Sequence, residues 1–183
     1  MKATEHLRED HGEIMLIMKI LEQISNKIEI LNTIDEDDLE KCIDYLKIFV
    51  DKCHEGKEET ILFPELVKGG IANEKGPIGV LIQEHLLEKD YVETLSDEFR
   101  KYKKVNRSYS KLISKSIRGY IFLFSGHIQK ENNVLFPMAD QILNYERQER
   151  MLTEFIEFEK RKIGEDRHEE LKKELKILKN KYL

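Results

Sequence analysis

Residues 54–64, His-Glu-Gly-Lys-Glu-Glu-Thr-Ile-Leu-Phe-Pro, recur at 127–137 as His-Ile-Gln-Lys-Glu-Asn-Asn-Val-Leu-Phe-Pro. His, Lys, Glu, Leu, Phe and Pro keep the same offsets in both copies. In each, a Glu follows the His by four residues, giving His54/Glu58 and His127/Glu131. On a helix that spacing sets imidazole and carboxylate on one face, about one turn apart. A nitrogen donor beside a hard oxygen donor, presented twice, is the chemistry of a metal site.

The repeat is larger than the short motif. His11 precedes His54 by 43 residues, and His85 precedes His127 by 42. Each half therefore reads as a helix with one His, a loop, and a helix with His-x-x-x-Glu. Two such hairpins about a pseudo-twofold axis make a four-helix bundle, with His11, His54, Glu58, His85, His127 and Glu131 projecting inward. One His on an apolar face is usually an ordinary core or surface residue. A buried carboxylate without a partner costs on the order of several kcal/mol or becomes neutral. The recurrence of the whole set is what points to a dinuclear centre. Four neutral nitrogens and two carboxylates can hold two divalent ions, with two His on each and both Glu bridging. A bridging oxide or hydroxide leaves one open position per ion for a small ligand. Such a site suits redox iron better than structural zinc, which prefers closed tetrahedral, thiolate-rich sites, and manganese or zinc stay open as alternatives in vitro.

The elements that must position these residues follow from periodicity. A first helix is expected over about Thr4 to Leu31, capped by Thr4, with Ile14, Met18, Leu21, Ile24 and Ile28 on its apolar face. A turn at 32–35 leads to a second helix carrying Ile43, Leu46, Phe49 and Val50 toward His54 and Glu58. Pro64 is expected to end it. A third helix starts near Pro77 and carries Leu81, Ile82, His85, Val92 and Leu95. A fourth carries Leu112, Ile113, Ile117, Tyr120, Ile121, Leu123 and Phe124 to His127 and Glu131, and Pro137 is expected to close it. Met138 to Lys162 and Asp166 to Tyr182 read as two further, highly charged helices broken at Gly164-Glu165. The expected division is a bundle over residues 1–140 and a C-terminal helical extension over 141–183, packed on the bundle or used in a homodimer.

Composition agrees with an all-α protein. Of 183 residues, 37% are charged and 40% hydrophobic, and only 3 Pro and 9 Gly interrupt the chain. A net charge of −5 gives no footprint for nucleic acid, and the basic run at 100–104 suits a helix C-terminus. No apolar run is long enough for a membrane span, and the polar N-terminus does not read as a signal peptide. Cys42 and Cys53 make no disulfide framework, so a cytoplasmic location with reduced thiols is expected. His6 and His168 lie outside the duplication and are expected at the surface. Tyr45 and Tyr120 are expected as core aromatics, the alternative being hydrogen-bond partners of a bound oxygen species.

These marks resemble the hemerythrin-like, HHE cation-binding family. The resemblance is carried over about residues 5 to 140 by Glu9-Asp10-His11, His54-x-x-x-Glu58 with Leu62-Phe63-Pro64, Gly76-Pro77-Ile78-Gly79 with Glu84-His85, and His127-x-x-x-Glu131 with Leu135-Phe136-Pro137. It implies an up-down antiparallel four-helix bundle around an oxo- or hydroxo-bridged non-haem diiron centre, with the six residues above as ligands. Oxygen-carrying hemerythrins use a fifth His one turn after the third-helix His. Lys89 stands there, and an ammonium cannot donate to a metal. Their last carboxylate follows its His by five residues, whereas Glu131 follows His127 by four. The four-His, two-Glu set is closest to the diiron domain of repair-of-iron-centres proteins, whose third-helix His is likewise preceded by a Glu, here Glu84. The cysteine-bearing N-terminal domain common in them is not expected here. Glu84 reads as a carboxylate behind the ligands, a proton relay, or a solvated helix residue.

Three functions are compatible with these residues. The first is a protein that binds iron and dioxygen, nitric oxide or peroxide in sensing, carriage or stress defence. The second is iron storage or donation for repair of iron–sulfur centres. The third is a metal-dependent regulatory module.

Overall fold

The apolar stripes recur at helical spacing, and the computed structural model, which describes residues 2–73 and 75–183, folds them as an all-α protein. Within the expected 1–140 bundle, Met1 and Glu74 lie outside the described residues. Helix α1 spans Ala3–Leu31. Helix α2 runs without a break from residue 36 to 68, α3 spans Pro77–Lys104, and α4 runs from residue 110 to 142. Helices α5, Tyr145–Lys162, and α6, Glu165–Tyr182, follow. Helices α1 to α4 form an up-down antiparallel bundle, with α1 and α3 each packed along α4 and α2 completing the ring.

Two expected helix ends are corrected. Pro64 and Pro137 do not stop their helices. In α2, residues Leu46–Glu55 and Glu58–Leu62 are π-helical and Phe63–Lys68 continue as α-helix; in α4 a π-helical stretch over Glu131–Leu135 likewise gives way to α-helix over Phe136–Ile142. Phe63 N–H donates to the Glu58 carbonyl, and Phe136 N–H to that of Glu131, each five residues back. The wide turn interrupts the four-residue ladder just ahead of each proline. Pro64 and Pro137 then occupy the first turn of a new α-helical segment, where no N–H is needed. The helix expected from Met138 accordingly begins only after Asn144, whose side chain accepts the Arg147 N–H at 2.9 Å. Thr4 does not cap α1. It lies buried inside the helix, and its hydroxyl donates to Asp140 Oδ1 at 2.8 Å, tying the start of α1 to the end of α4.

The core has two apolar blocks. One collects residues such as Ile17, Leu21, Leu46, Phe49, Leu95, Ile117 and Phe124, together with Leu171, Leu175 and Leu178 of α6. The other collects Leu7, Leu62, Phe63, Leu81, Leu135 and Phe136, together with Met151 and Phe155 of α5. On every bundle helix the residues expected to ligate lie between the two blocks. Helices α5 and α6 both cover the α1/α2 side. Among the described residues, no helix is long and apolar enough to cross a membrane.

Because Leu171 is fully buried in the first block, Leu171→Ala is expected to cost about 2–5 kcal/mol, as other large-to-small core changes do. Urea denaturation of the two proteins measures it. A loss within about 0.5 kcal/mol, the range of surface substitutions, would mean that α6 is not part of the core.

Candidate metal centre

The layer between the apolar blocks is built from four helices. α1 supplies His11, α2 supplies His54 and Glu58, α3 supplies His85, and α4 supplies His127 and Glu131. All six side chains are buried. Two groups of four form within it. Donor atoms of His11, His54, Glu58 and Glu131 lie within 4.8 Å of one another, as do those of His85, His127, Glu58 and Glu131. Both carboxylates belong to both groups, so the shared pair sits between two pairs of imidazoles.

Each imidazole is fixed from behind through Nδ1. His11 Nδ1 is 3.1 Å from Asn132 Oδ1, and His54 Nδ1 is 3.1 Å from Asp10 Oδ2. His85 Nδ1 is 2.8 Å from Glu59 Oε1, and His127 Nδ1 is 3.1 Å from Glu84 Oε2. Carboxylate and amide oxygens only accept, so each Nδ1 carries the hydrogen and each Nε2 lone pair faces the centre. His11 Nε2 and His54 Nε2 are 3.1 Å apart. Two lone pairs so close call for an electrophile between them. Both oxygens of Glu58, both of Glu131, and Nε2 of His85 and His127 make no hydrogen bond. Buried oxygens and nitrogens are almost always partnered, so this concentration of free lone pairs fits a divalent cation set.

The electrostatics of the metal-free layer differ between its halves: against the effect of burial, the Glu131, Glu84 and Glu88 carboxylates hold the His127 imidazole well above its usual range. Burial, with the Glu131 charge beside it, holds the Glu58 carboxyl well above its usual range. Burial also pushes the His54 imidazole down to about 4, which keeps it neutral and able to donate a lone pair. Burial alone would raise the Asp10 carboxyl, but the Lys57 ammonium and the His54 ring hold it well below the usual carboxylate range.

All six expected residues are thus brought together, and Glu84 lies directly behind His127. Asp10, Glu59 and Asn132 were not anticipated in this role. The duplication carries a signal for them. Asp10 and Glu84 each immediately precede the single His of their hairpin, and Glu59 and Asn132 each immediately follow the shared Glu. The repeated Lys also has a place. Lys57 Nζ is 2.6 Å from Asp10, and Lys130 Nζ is 2.5 Å from Glu84. The repeated Phe stacks on the His of the opposite hairpin: Phe63 on His85 at 5.8 Å and Phe136 on His11 at 5.4 Å between ring centroids.

The sequence profile of the hemerythrin HHE cation binding domain matches residues 2–139. The chain belongs to this family. Comparison with curated proteins and with solved structures gave no match. The HHE match and the buried His/Glu groups together describe a metal-binding protein. Two residues outside the repeated set differ from expectation. His6 is not a free surface residue, since its Nε2 lies 3.0 Å from Glu159 and 3.2 Å from Lys57 Nζ. His168 stacks on Phe49 at 5.9 Å. Lys89 points away from a ligating role, with its ammonium 3.2 Å from Asp51, 3.6 Å from Glu59 and 3.7 Å from Glu55. Tyr45 donates to Glu13 at 3.3 Å, and both thiols are free and buried.

A cavity of about 270 Å³ opens between α2 and α3, lined in part by Leu46, Glu55, Glu88, Lys89, Val92 and Tyr120. Glu88 Oε1 is 3.7 Å from His127 Nδ1. Burial pushes the Glu55 carboxyl up to about 8 and that of Glu88 up to about 9. In the unfolded chain these groups ionise near about 4.3. The folded state therefore keeps protons that the unfolded state has released between those values. The stabilisation from these two acids is complete below about pH 4.3 and is lost as pH rises toward 8 to 9. Metal-free Glu88→Gln is expected to lose less stability than the parent between about pH 5 and about pH 9. Urea melts across that range test it, and parallel pH profiles would rule out this role for Glu88.

Proposed function

We propose that the chain is a non-haem diiron protein that binds a small ligand, dioxygen, nitric oxide or peroxide, in sensing, carriage or defence against oxidative and nitrosative stress. His11 and His54 would hold one iron and His85 and His127 the other, with Glu58 and Glu131 bridging both. The observation that carries the reading is the shared carboxylate pair, whose four unpartnered oxygens lie between two oriented pairs of imidazole lone pairs. When bound, such a pair of iron ions supplies Lewis acidity and electrons to a ligand at an exchangeable position. The chain's own part is to orient, to exclude water and to set polarity. Asp10, Glu59, Glu84 and Asn132 hold the ring orientations. Phe63 and Phe136 close the layer on one side against bulk water.

Lys89 separates this reading from simple oxygen carriage. It is paired with three carboxylates at the position where an oxygen carrier would place a further imidazole. The four-His, two-Glu set resembles that of the repair-of-iron-centres proteins, and this resemblance makes storage or donation of iron for damaged iron–sulfur centres the second reading. Transfer of iron to an apo-ferredoxin, faster than from free ferrous salt, distinguishes it.

Anaerobically loaded protein is expected to hold two iron ions per chain, and its optical spectrum is expected to change on adding dioxygen, nitric oxide or peroxide. His54→Ala should lose at least half of the metal, while His168→Ala, away from the site, should keep both ions. Metal analysis of the three proteins decides it, and a parent chain without iron after loading overturns the proposal.

A further inference from the structure

The two halves of the site are symmetric in their repeated residues but not in what lies behind them. Lys57 is fully buried, at 0% exposure, and its Nζ lies 2.6 Å from Asp10 Oδ2 and 2.5 Å from Glu159 Oε1. Its counterpart Lys130 is 46% exposed and reaches a single carboxylate, Glu84. The difference comes from α5. Glu159 lies on that helix, outside the matched family region of 2–139, and among the described residues no equivalent helix covers Lys130. A buried ammonium is expensive without compensation, and this one has two carboxylates in contact and the Phe155 ring 5.8 Å from its Nζ. Asp10 in turn accepts from His54 Nδ1 at 3.1 Å. A continuous line of charged contacts thus runs from α5 to a ring whose other nitrogen faces the centre.

We infer that Lys57 is a positioning residue for the metal centre and that α5, through Glu159, completes the layer behind one of its two ions. This rests on the diiron reading above. Lys57 holds Asp10 in place as the acceptor for His54, and Glu159 holds Lys57. Metal binding and the docking of α5 are therefore linked, each favouring the other. The Lys130–Glu84–His127 line does the same task more weakly, because water screens a half-exposed pair. The ion held by His11 and His54 depends on α5; the ion held by His85 and His127 does not.

Chelator competition with ferrous iron under anaerobic conditions tests this on the full chain. Lys57→Gln is expected to weaken one of the two ions about tenfold, the scale on which partners behind metal ligands act. Glu159→Gln keeps the volume and should weaken the same ion by less. Lys130→Gln should change the other ion by less than about threefold, given its exposure. In Asp10→Asn, adding Lys57→Gln should weaken binding no further, since both act through one contact. In a His85→Ala chain, which keeps His11 and His54, Lys57→Gln should still weaken the remaining ion. Equal weakening of both ions overturns the inference. So does a lower denaturation midpoint of the metal-free protein with unchanged metal affinity, because it would make Lys57 a prop for the fold alone. A parent chain that fails to take up two ions removes the diiron reading itself. Two ions with no effect of Lys57→Gln remove only the role of Lys57.

Discussion

The structure depends on a layer of six buried, mutually facing donors with too few hydrogens among them. Four Nε2 lone pairs and four carboxylate oxygens converge between two apolar blocks, and the Nδ1 hydrogens that might have relieved them are already given to outward partners. In a dry interior such a layer is costly, since desolvated carboxylates must be neutralised or paired. In the diiron reading, a pair of divalent cations would compensate both carboxylates and all four nitrogens together. Everything around the layer serves to keep it dry and aligned. The apolar blocks above and below exclude water, and the outward acceptors stop the rings from turning.

Each recurring residue of the duplicated stretch has a part in that arrangement. The His and Glu face the centre, the Lys braces the carboxylate behind a ring, and the Leu is buried in the block beyond. The Phe covers a His of the opposite hairpin, and the Pro begins the α-helical segment after the wide turn. The wide turn ahead of each proline starts at the shared Glu itself. A π turn takes in one residue more than an α turn, and one residue corresponds to about 100° of rotation around the axis. The His-to-Glu spacing can therefore serve the centre while the Leu-Phe pair that follows is turned toward the second apolar block. The widened turn and the proline are two sides of one solution.

The ligand layer and the bundle were legible in the sequence because both rest on short, periodic patterns that the duplication states twice. The course of the helices past Pro64 and Pro137 was not. A proline at that offset reads as a stop under the rule for α-helices, and the five-residue hydrogen bonds that admit it depend on backbone geometry with no distinct residue signature. Asp10, Glu59 and Asn132 were hidden for another reason. Each braces a ring on a different helix, so the pairing of Asp10 with His54, or of Asn132 with His11, exists only once the bundle closes. His6 was misjudged as a surface residue on similar grounds. Its partner Glu159 is 153 residues away, on a helix whose charge pattern looks merely soluble.

The same late contacts explain why a duplicated sequence has not produced two equal halves. On the α1/α2 side, α5 and α6 close over the bundle, and Lys57, His6 and Glu159 form a sealed charged knot behind His54. On the other side, His127 has Glu84 behind it with Lys130 in water, and Glu88 leads to the cavity where Glu55, Lys89 and Tyr120 meet. Asn132 stands where symmetry would place a second Glu59, so one outward partner is neutral and its counterpart charged. A carboxylate makes the ring it holds a stronger donor than an amide does. In the diiron reading, then, the ion nearer the cavity has two carboxylate-backed imidazoles, and the ion nearer α5 has one. The repeated ligand set thus sits in two unequal surroundings, one sealed behind His54 by α5 and one backed behind His127 by a partly exposed ion pair.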